Sequence, residues 1–360
     1  MESWQRQLRF DPIPALLASS DEALQYFVRR DLLQENVGPV SRLWQLPQAQ
    51  KILRKQQPDG SWDRAVSQKK HRAINYALIE TWKQFRFLVE QYEFTREEPS
   101  TARAAEFLFS CQTEAGDIRG MLANQYANYY TGAIMSLLIK AGYEDDPRME
   151  KGFQWLLSMR QDDMGWSEAL VTHDFDRETI YRLTSQYAEP VAPDRSRPFS
   201  HNWTGMVLRA FAAHSRHRRS EPARIAAELL KSRFFQPDCY TSYQAASCWV
   251  RFQYPFWWNN LVAALDSISL IDPSRDEPME KALDWLIAQQ EKDGLWRTSY
   301  VTDKEANTLG TREMKPWVSL AICRVLSRMS CQDSPTFEEL GEGGMIRRES
   351  GRNEALDPMW

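Results

Sequence analysis

Cysteine is scarce in this 360-residue sequence and follows no pattern: Cys111, Cys239, Cys248, Cys323 and Cys331 form an odd, scattered set without a CxxC pair. Such a set excludes a disulfide framework and any recognisable zinc spacing, and it fits a reducing, cytoplasmic setting. No apolar run approaches the roughly 20 residues of a membrane span. The opening MESWQRQLRFDPIP puts charges and prolines where a signal peptide needs an apolar stretch. Neither sign of charge is in large surplus, the formal net being -4, so nucleic acid and anionic membrane are not expected partners. A GxxxxGK[ST] phosphate loop is missing, which removes ATP from the expected ligands. Together with the lack of paired cysteine ligands, it also excludes a nucleotide-driven iron–sulfur protein.

Tryptophan, by contrast, is abundant: 14 residues, within an aromatic content of 12%. That calls for tryptophans recurring in a repeat or for an aromatic-lined cavity. Four segments align, QAQKILRKQQPDGSW (48–62), RAAEFLFSCQTEAGDI (103–118), KGFQWLLSMRQDDMGW (151–166) and KALDWLIAQQEKDGLW (281–296). Each reads as a short helix ended by a glycine turn. Met279, Leu283, Leu286 and Ile287 form one apolar stripe, as do Met149, Phe153, Leu156 and Leu157. Gly60, Gly116, Gly165 and Gly294 then stand where a helix passing into a turn needs tolerance of positive φ. RIAAELLKSRFFQPDCY (224–240) is a fifth copy in which Pro237 replaces the glycine.

The copies recur every 50–56 residues, long enough for two helices each, and a second helical pattern lies between them at 71–92, 126–142, 202–217, 256–271 and 315–329. DEALQYFVRRDLLQ (21–34), with Asp21 as N-cap, makes a sixth of this second type. Six inner helices against five outer ones predict a ring closed by its two ends. The expected boundaries are an N-terminal arm over 1–20, one domain over 21–331 with an insertion at 167–200, and a disordered tail over 332–360.

The order basic, small, two positions, aromatic, aliphatic, three positions, Gln, three positions, Gly, any residue, Trp resembles the QW repeat of squalene cyclases. Lys281, Ala282, Trp285, Leu286, Gln290, Gly294 and Trp296 follow it at every step, and Arg103 to Gly116 follow it until Ile118 stands in for Trp. The copy at 48–62 is one residue short, and Gly165 adjoins Trp166. The resemblance is to the terpenoid cyclase and protein prenyltransferase superfamily. It implies an all-α (α/α)6 toroid whose central cavity binds, and as a transferase or isomerase transforms, an isoprenoid or other apolar molecule. The Asp-x-Asp-Asp of class II cyclases is missing, and Asp145-Asp146 and Asp162-Asp163 read as turn residues. Only one barrel is accommodated, so direct squalene cyclisation is not expected. Single-barrel prenyltransferase subunits hold zinc through Asp, Cys and His. Asp238-Cys239 resembles part of that site at a different spacing, with His201 as the third ligand if one exists. No cofactor is required by any motif.

In a ring of paired helices the starts of the inner helices line the cavity. They supply Tyr126, Tyr129, Tyr130, His201, Asn202, Trp203, Trp257, Trp258, Asn259 and Trp317 as the expected substrate-binding set. Aromatic faces attract cations, stack on sugars and cover prenyl chains, and they equally fill the space between inner and outer helices. The insertion holds His173, Asp174 and Asp176 as candidate catalytic groups, with Glu168 just upstream. A carboxylate–imidazole group transfers protons near neutral pH, whereas Asp174 or Asp176 alone reads as a cap on a helix over 177–187. Two further readings stay open: a carbohydrate-active toroid, hydrolase or lyase, and a non-catalytic scaffold with a filled cavity.

Overall fold

The structure, a computed structural model, describes residues 3–63, 71–240, 246–298 and 309–330, so Cys331 and the tail expected at 332–360 lie outside it. The described residues are helical, with isolated bridges and no strand. In chain order the first helices are α1 (Ile13–Leu17), α2 (Glu22–Phe27), α3 (Pro47–Leu53), α4 (Tyr76–Tyr92), α5 (Pro99–Ser110), α6 (Asn128–Leu138) and α7 (Pro147–Ser158). There follow α8 (Ala169–Thr172), α9 (Arg177–Ser185), α10 (His201–Ala213), α11 (Glu221–Lys231), α12 (Leu261–Ile271), α13 (Glu277–Ala288) and α14 (Leu309–Ser330). None is long and apolar enough to cross a membrane among the described residues.

Local sequence sets where the helices begin. Glu98, Asp146, Ser220 and Asp276 cap α5, α7, α11 and α13 through their side-chain oxygens, each with proline in the first turn. Such a cap satisfies an amide the helix leaves unbonded, and proline has no amide to satisfy. Asp21, Asn75, Ser200 and Asn260 do the same for α2, α4, α10 and α12. The apolar stripes face inward as their spacing requires: Met149, Phe153, Leu156, Met279, Leu283 and Leu286 are all buried.

Contacts between inner helices run α2 to α4, α4 to α6, α6 to α10, α10 to α12, α12 to α14, and α14 back to α2. That is a closed cycle. The pair α6 and α10 meets most closely, since a Cβ on Gly132 would lie 2.6 Å from Val207 Cα. α1, from the expected N-terminal arm, packs on α2 and α14, where the cycle closes.

Up to three side chains, a glutamine, a tryptophan and an inner-helix hydroxyl, fasten a repeat. Gln56 Nε2 donates to Gly60 O and to Ser100 O at the start of α5, and Gln112 Nε2 to Gly116 O and Arg148 O at the start of α7. The indoles of Trp62, Trp166 and Trp296 donate back to Ile52, Leu156 and Leu286. The backbone N–H of Trp62, Ile118, Trp166 and Trp296 donates to a hydroxyl on an inner helix, at Thr81, Thr131, Thr204 and Ser319 respectively. Trp249, whose indole donates to Gln236 O, is the indole of the fifth copy. One detail differs from the sequence alignment. Met164, at φ 75°, occupies the left-handed position that Gly60, Gly116 and Gly294 fill elsewhere. The copy at 151–166 keeps the same turn, but its Gln161 and Gly165 each stand one place later than in the other copies, and the Gln161 side chain bonds Asp194 O and Arg197 O.

The last repeat closes the ring with the same side chain. Gln290 Nε2 donates to Phe10 O and Gly294 O, while its Oε1 accepts from the amides of Arg9 and Phe10. Trp317 Nε1 donates to Asp21 Oδ2 across the same seam. Gln290→Ala removes all four bonds at a buried position and should cost about 2–4 kcal/mol. Urea denaturation beside the exposed Gln57→Ala checks this; equal losses from the two variants would mean that the seam contributes nothing.

Candidate functional site

The axis of the ring is filled. The inner helix expected over 256–271 begins only at Leu261, and residues 251–260 run before it as an irregular segment whose Tyr254 and Phe256 are buried. Tyr254 OH donates to Glu90 O, and its ring stacks on Trp317 at 5.6 Å. Arg209 on α10 donates to the carbonyls of Phe256, Trp257 and Trp258 at 3.4, 3.0 and 2.8 Å. Arg86 on α4 reaches Phe256 O and lies 4.4 Å over the Trp257 ring. Trp257 also packs on Trp82 at 4.6 Å. Trp257, expected to line an open central cavity, is thus part of what fills it.

Below this plug the axis opens into a polar basin of about 360 Å³ whose charges pair off: Arg324 with Asp31, Arg328 with Asp266, Lys140 with Glu90 and Arg30 with Glu93. Such a surface is neutralised by its own ion pairs. The cavity of different character is at the other end.

At the starts of α10 and α12 a pocket of about 330 Å³ is walled by Phe252, Trp258 and Met314, with His201, Asn202, Asn259, Asn260, Thr298, Cys248 and Arg251 around it. Its back is built from the cap of α10. Ser200 Oγ donates to Asp238 Oδ2 at 2.7 Å, the amide of Asn202 donates to the same oxygen, and His201 Nδ1 sits 3.5 Å from it. Trp249 covers the imidazole face at 4.5 Å. Burial lowers the His201 pKa below its usual 6.5 against the opposing pull of Asp238, so the ring is neutral at neutral pH and able to accept a proton.

The pocket's amides are placed by a close backbone approach. Asn259 lies directly over Gly205 of α10, where any Cβ would fall 2.2 Å from its Cγ, and Asn259 Nδ2 donates to His201 O. Asn202 Oδ1 accepts from the Asn259 amide. What remains is unusual: Asn202 Nδ2, Asn259 Oδ1 and Thr298 Oγ1 are shielded from solvent and have no partner among the described residues. Buried polar atoms are ordinarily bonded, and these three belong to residues that line one pocket.

Four of the ten expected binding residues, His201, Asn202, Trp258 and Asn259, thus come together at one pocket. The other six serve elsewhere. Tyr126 OH donates to Val191 O and anchors the insertion. Tyr129, Tyr130 and Trp203 pack in the aromatic layer beside Trp258 and Tyr240. Trp257 belongs to the axial plug, and Trp317 to the ring seam.

The candidate catalytic group does not reach the pocket. Asp176 is the N-cap of α9, and the Thr179 amide bonded to it lowers its pKa. Asp174 is exposed and paired with Arg197, and His173 Nε2 meets Ala192 O at the surface. The insertion that carries them is fixed, with Gln125 bonding the backbone of Ala188, Glu189 and Val191. Asp238 faces inward to the cap of α10 while Cys239 is exposed, so the two do not form a shared zinc pair. Among the described residues no three His, Cys, Asp or Glu side chains gather as a metal site.

The buried carboxyl of the insertion is Glu168, left outside the candidate set. Neither of its oxygens has a partner among the described residues, and the same holds for Asn128 Oδ1 and Ser167 Oγ nearby. Asn128 Nδ2 donates to Ser167 O, which fixes this group under the insertion. Its place next to a repeat's closing Trp166 was the one sequence signal.

No protein-family model matches the chain, and no curated protein does. Among solved structures the chain is similar to a protein from Actinoplanes, with 16% identity over 82% of this chain and 88% of that one and a TM-score of 0.44. It is also similar to a polysaccharide lyase, with 13% identity, coverage of 77% and 82%, and a TM-score of 0.39. The type II terpene cyclase MstE from Scytonema shares 13% identity, with coverage of 82% and 98% and a TM-score of 0.29. All three are distant likenesses, and no residue role or reaction is carried from them.

Burial raises the Glu168 pKa well above its ordinary 4.5, so the folded chain holds this proton more tightly than the unfolded chain. The resulting stabilisation is complete below pH 4.5 and is lost as pH rises through the raised folded value. Glu168→Gln keeps the neutral shape and should remove that loss, worth up to about 1.4 kcal/mol per pH unit across the window. Urea unfolding from pH 4.5 to 8 measures it; parallel curves for the two proteins would contradict a buried neutral carboxyl.

Proposed function

We propose that the closed cycle of inner helices is an (α/α)6 toroid of the terpenoid cyclase and prenyltransferase type. It binds a small apolar molecule, isoprenoid in class, at the mouth formed by α10 and α12 and not along its axis. The observation that carries this reading is that Asn202, Asn259 and Thr298, each with an unpartnered buried polar atom, line one pocket walled by Trp258, Phe252 and Met314. Apolar walls with a few convergent polar atoms suit a ligand with a hydrocarbon body and one hydrogen-bonding end. A volume of about 330 Å³ lies at the small end of ligand pockets, which span about 300–1,000 Å³.

His201 is the group in this pocket suited to chemistry. Neutral at physiological pH, held by the α10 cap and backed by Asp238, it serves as a proton acceptor toward a bound ligand. Hydrolysis of a glycoside takes two carboxyl groups about 5–9.5 Å apart, and the described residues lining the pocket include no carboxylate. That weighs against the hydrolase alternative.

Native mass spectrometry of the purified protein, followed by thermal-shift titration with prenyl alcohols and oligosaccharides, tests the reading. We expect a retained or titratable prenyl ligand whose affinity falls about tenfold or more in Trp258→Ala and in Asn202→Ala. It should also protect Cys248 from alkylation. Protein that carries no ligand and shows no shift with prenyl alcohols would count against it, and a shift with oligosaccharides alone would replace it.

A further inference from the structure

The turn that follows α10 is built around one imidazole. His214 is buried, and its Nδ1 lies 3.1 Å from the amide nitrogen of Arg216 and 3.3 Å from that of His217. A backbone N–H can only donate, so Nδ1 carries no proton and accepts from both. Nε2 lies 3.2 Å from Glu144 O, which can only accept, so the single ring proton sits there. Neighbouring bonds extend the same joint: Ser215 donates from its amide and from its Oγ to the Glu144 carboxylate. Residues 214–217 thereby fasten the end of α10 to the segment that leads from α6 into α7.

We infer that this turn is an acid-sensitive latch, closed while His214 is neutral and opened when a proton on Nδ1 meets the two amide hydrogens already directed at it. In the imidazolium both nitrogens are donors, so no orientation of the ring can accept the two amides. Phe153 of α7 and His217 pack edge-on against the ring at 5.3 and 4.7 Å. Glu150 of α7 is bonded to His217 and Arg216, each at 3.0 Å, and Glu144 is acted on by Arg218 as well as by His214. α11 and α12 pack on residues 217–219. The charged groups at that end are Glu221 and Arg224 of α11 and Asp272 after α12, the last acting with Arg224. Burial above all, then His217 and Arg216, lowers the His214 pKa below its ordinary 6.5, against the pull of Glu144. Between pH 6.5 and that lowered value the open turn binds a proton that the closed turn refuses. The latch is therefore at full strength above this window and weakens as pH falls through it.

NMR of protein labelled with nitrogen-15 in its histidines should show His214 as the Nε2–H tautomer with a midpoint below 6.5. Hydrogen exchange of the Arg216 and His217 amides, followed across the histidine range of about pH 5–8, reads the opening itself. His214→Asn is the control, because its Oδ1 can take the place of Nδ1 and does not titrate. Relative to that variant, the wild-type amides should lose protection by up to about tenfold per pH unit within the window. His217→Gln, which keeps a donor for Glu150 and removes the neighbouring imidazole, should raise the His214 midpoint. An Nδ1–H tautomer, a His214 midpoint at or above 6.5, or equal pH profiles for the two amides in wild type and His214→Asn would each overturn the proposal. If His214→Asn does not fold, the wild-type tautomer and midpoint still decide.

Discussion

A buried carbonyl outside regular pairing must find a donor, and in this chain the donor is repeatedly a glutamine side-chain amide that bonds its own turn and a carbonyl of the next outer segment. Gln56, Gln112 and Gln290 each hold their own turn with one hydrogen and the beginning of the next outer segment with the other. The geometry that results is tight. A Cβ on Gly60 or Gly116 would lie 2.2 or 2.4 Å from the carbonyl oxygen of Arg103 or Lys151 in the following helix. Spacing between outer helices, and so the curvature that closes the ring, follows from that contact.

With the ring set from outside, its centre had to be filled or left open, and the chain fills it with its own residues 254–258. Two guanidinium groups do this without a strand or helix to pair the backbone: their five-donor forks take up carbonyls that would otherwise be buried unbonded. The cost is charge placed in the core. Filling the axis also leaves the chemically useful space at the rim, where α10 and α12 begin and where Gly205 lets Asn259 lie against the helix.

The ring was legible because its signals are local. A glutamine, a turn glycine and a tryptophan fall within seven residues of one another, and proline behind a capping Glu, Asp or Ser marks the start of α5, α7, α11 and α13. Met164 shows the limit of that reading. Gly165 was the expected left-handed residue, but the turn keeps the length it has in the other copies and so puts Met164 there, which only the backbone reveals. The site was less legible because its determinants are non-local. Pro255 and the aromatic run at 254–258 look like the first turn of an inner helix, and what removes them from that role is Arg86 and Arg209, 123 residues apart. The string His173 to Asp176 reads the same whether it caps a helix or moves protons. Solvent exposure decides, and nothing in the string records it. Glu168, five residues before His173, is buried because Asn128 and the insertion close over it.

The seam between Gln290 and Phe10 joins residues 280 positions apart. At roughly 5–20 residues per second of synthesis, the first of these segments leaves the ribosome on the order of 15–60 s before the second exists. Through that interval the flanks of α1 and α2 that will meet α14 have no partner. Each early helix pair is folded on one side and open on the other, and the growing arc cannot shield its apolar edge by adding repeats, since every addition moves the edge forward. The molecule therefore makes its longest-range contacts, those of the seam, only near the end of translation, and for a protein built of such regular local units the timing of assembly is set by that seam.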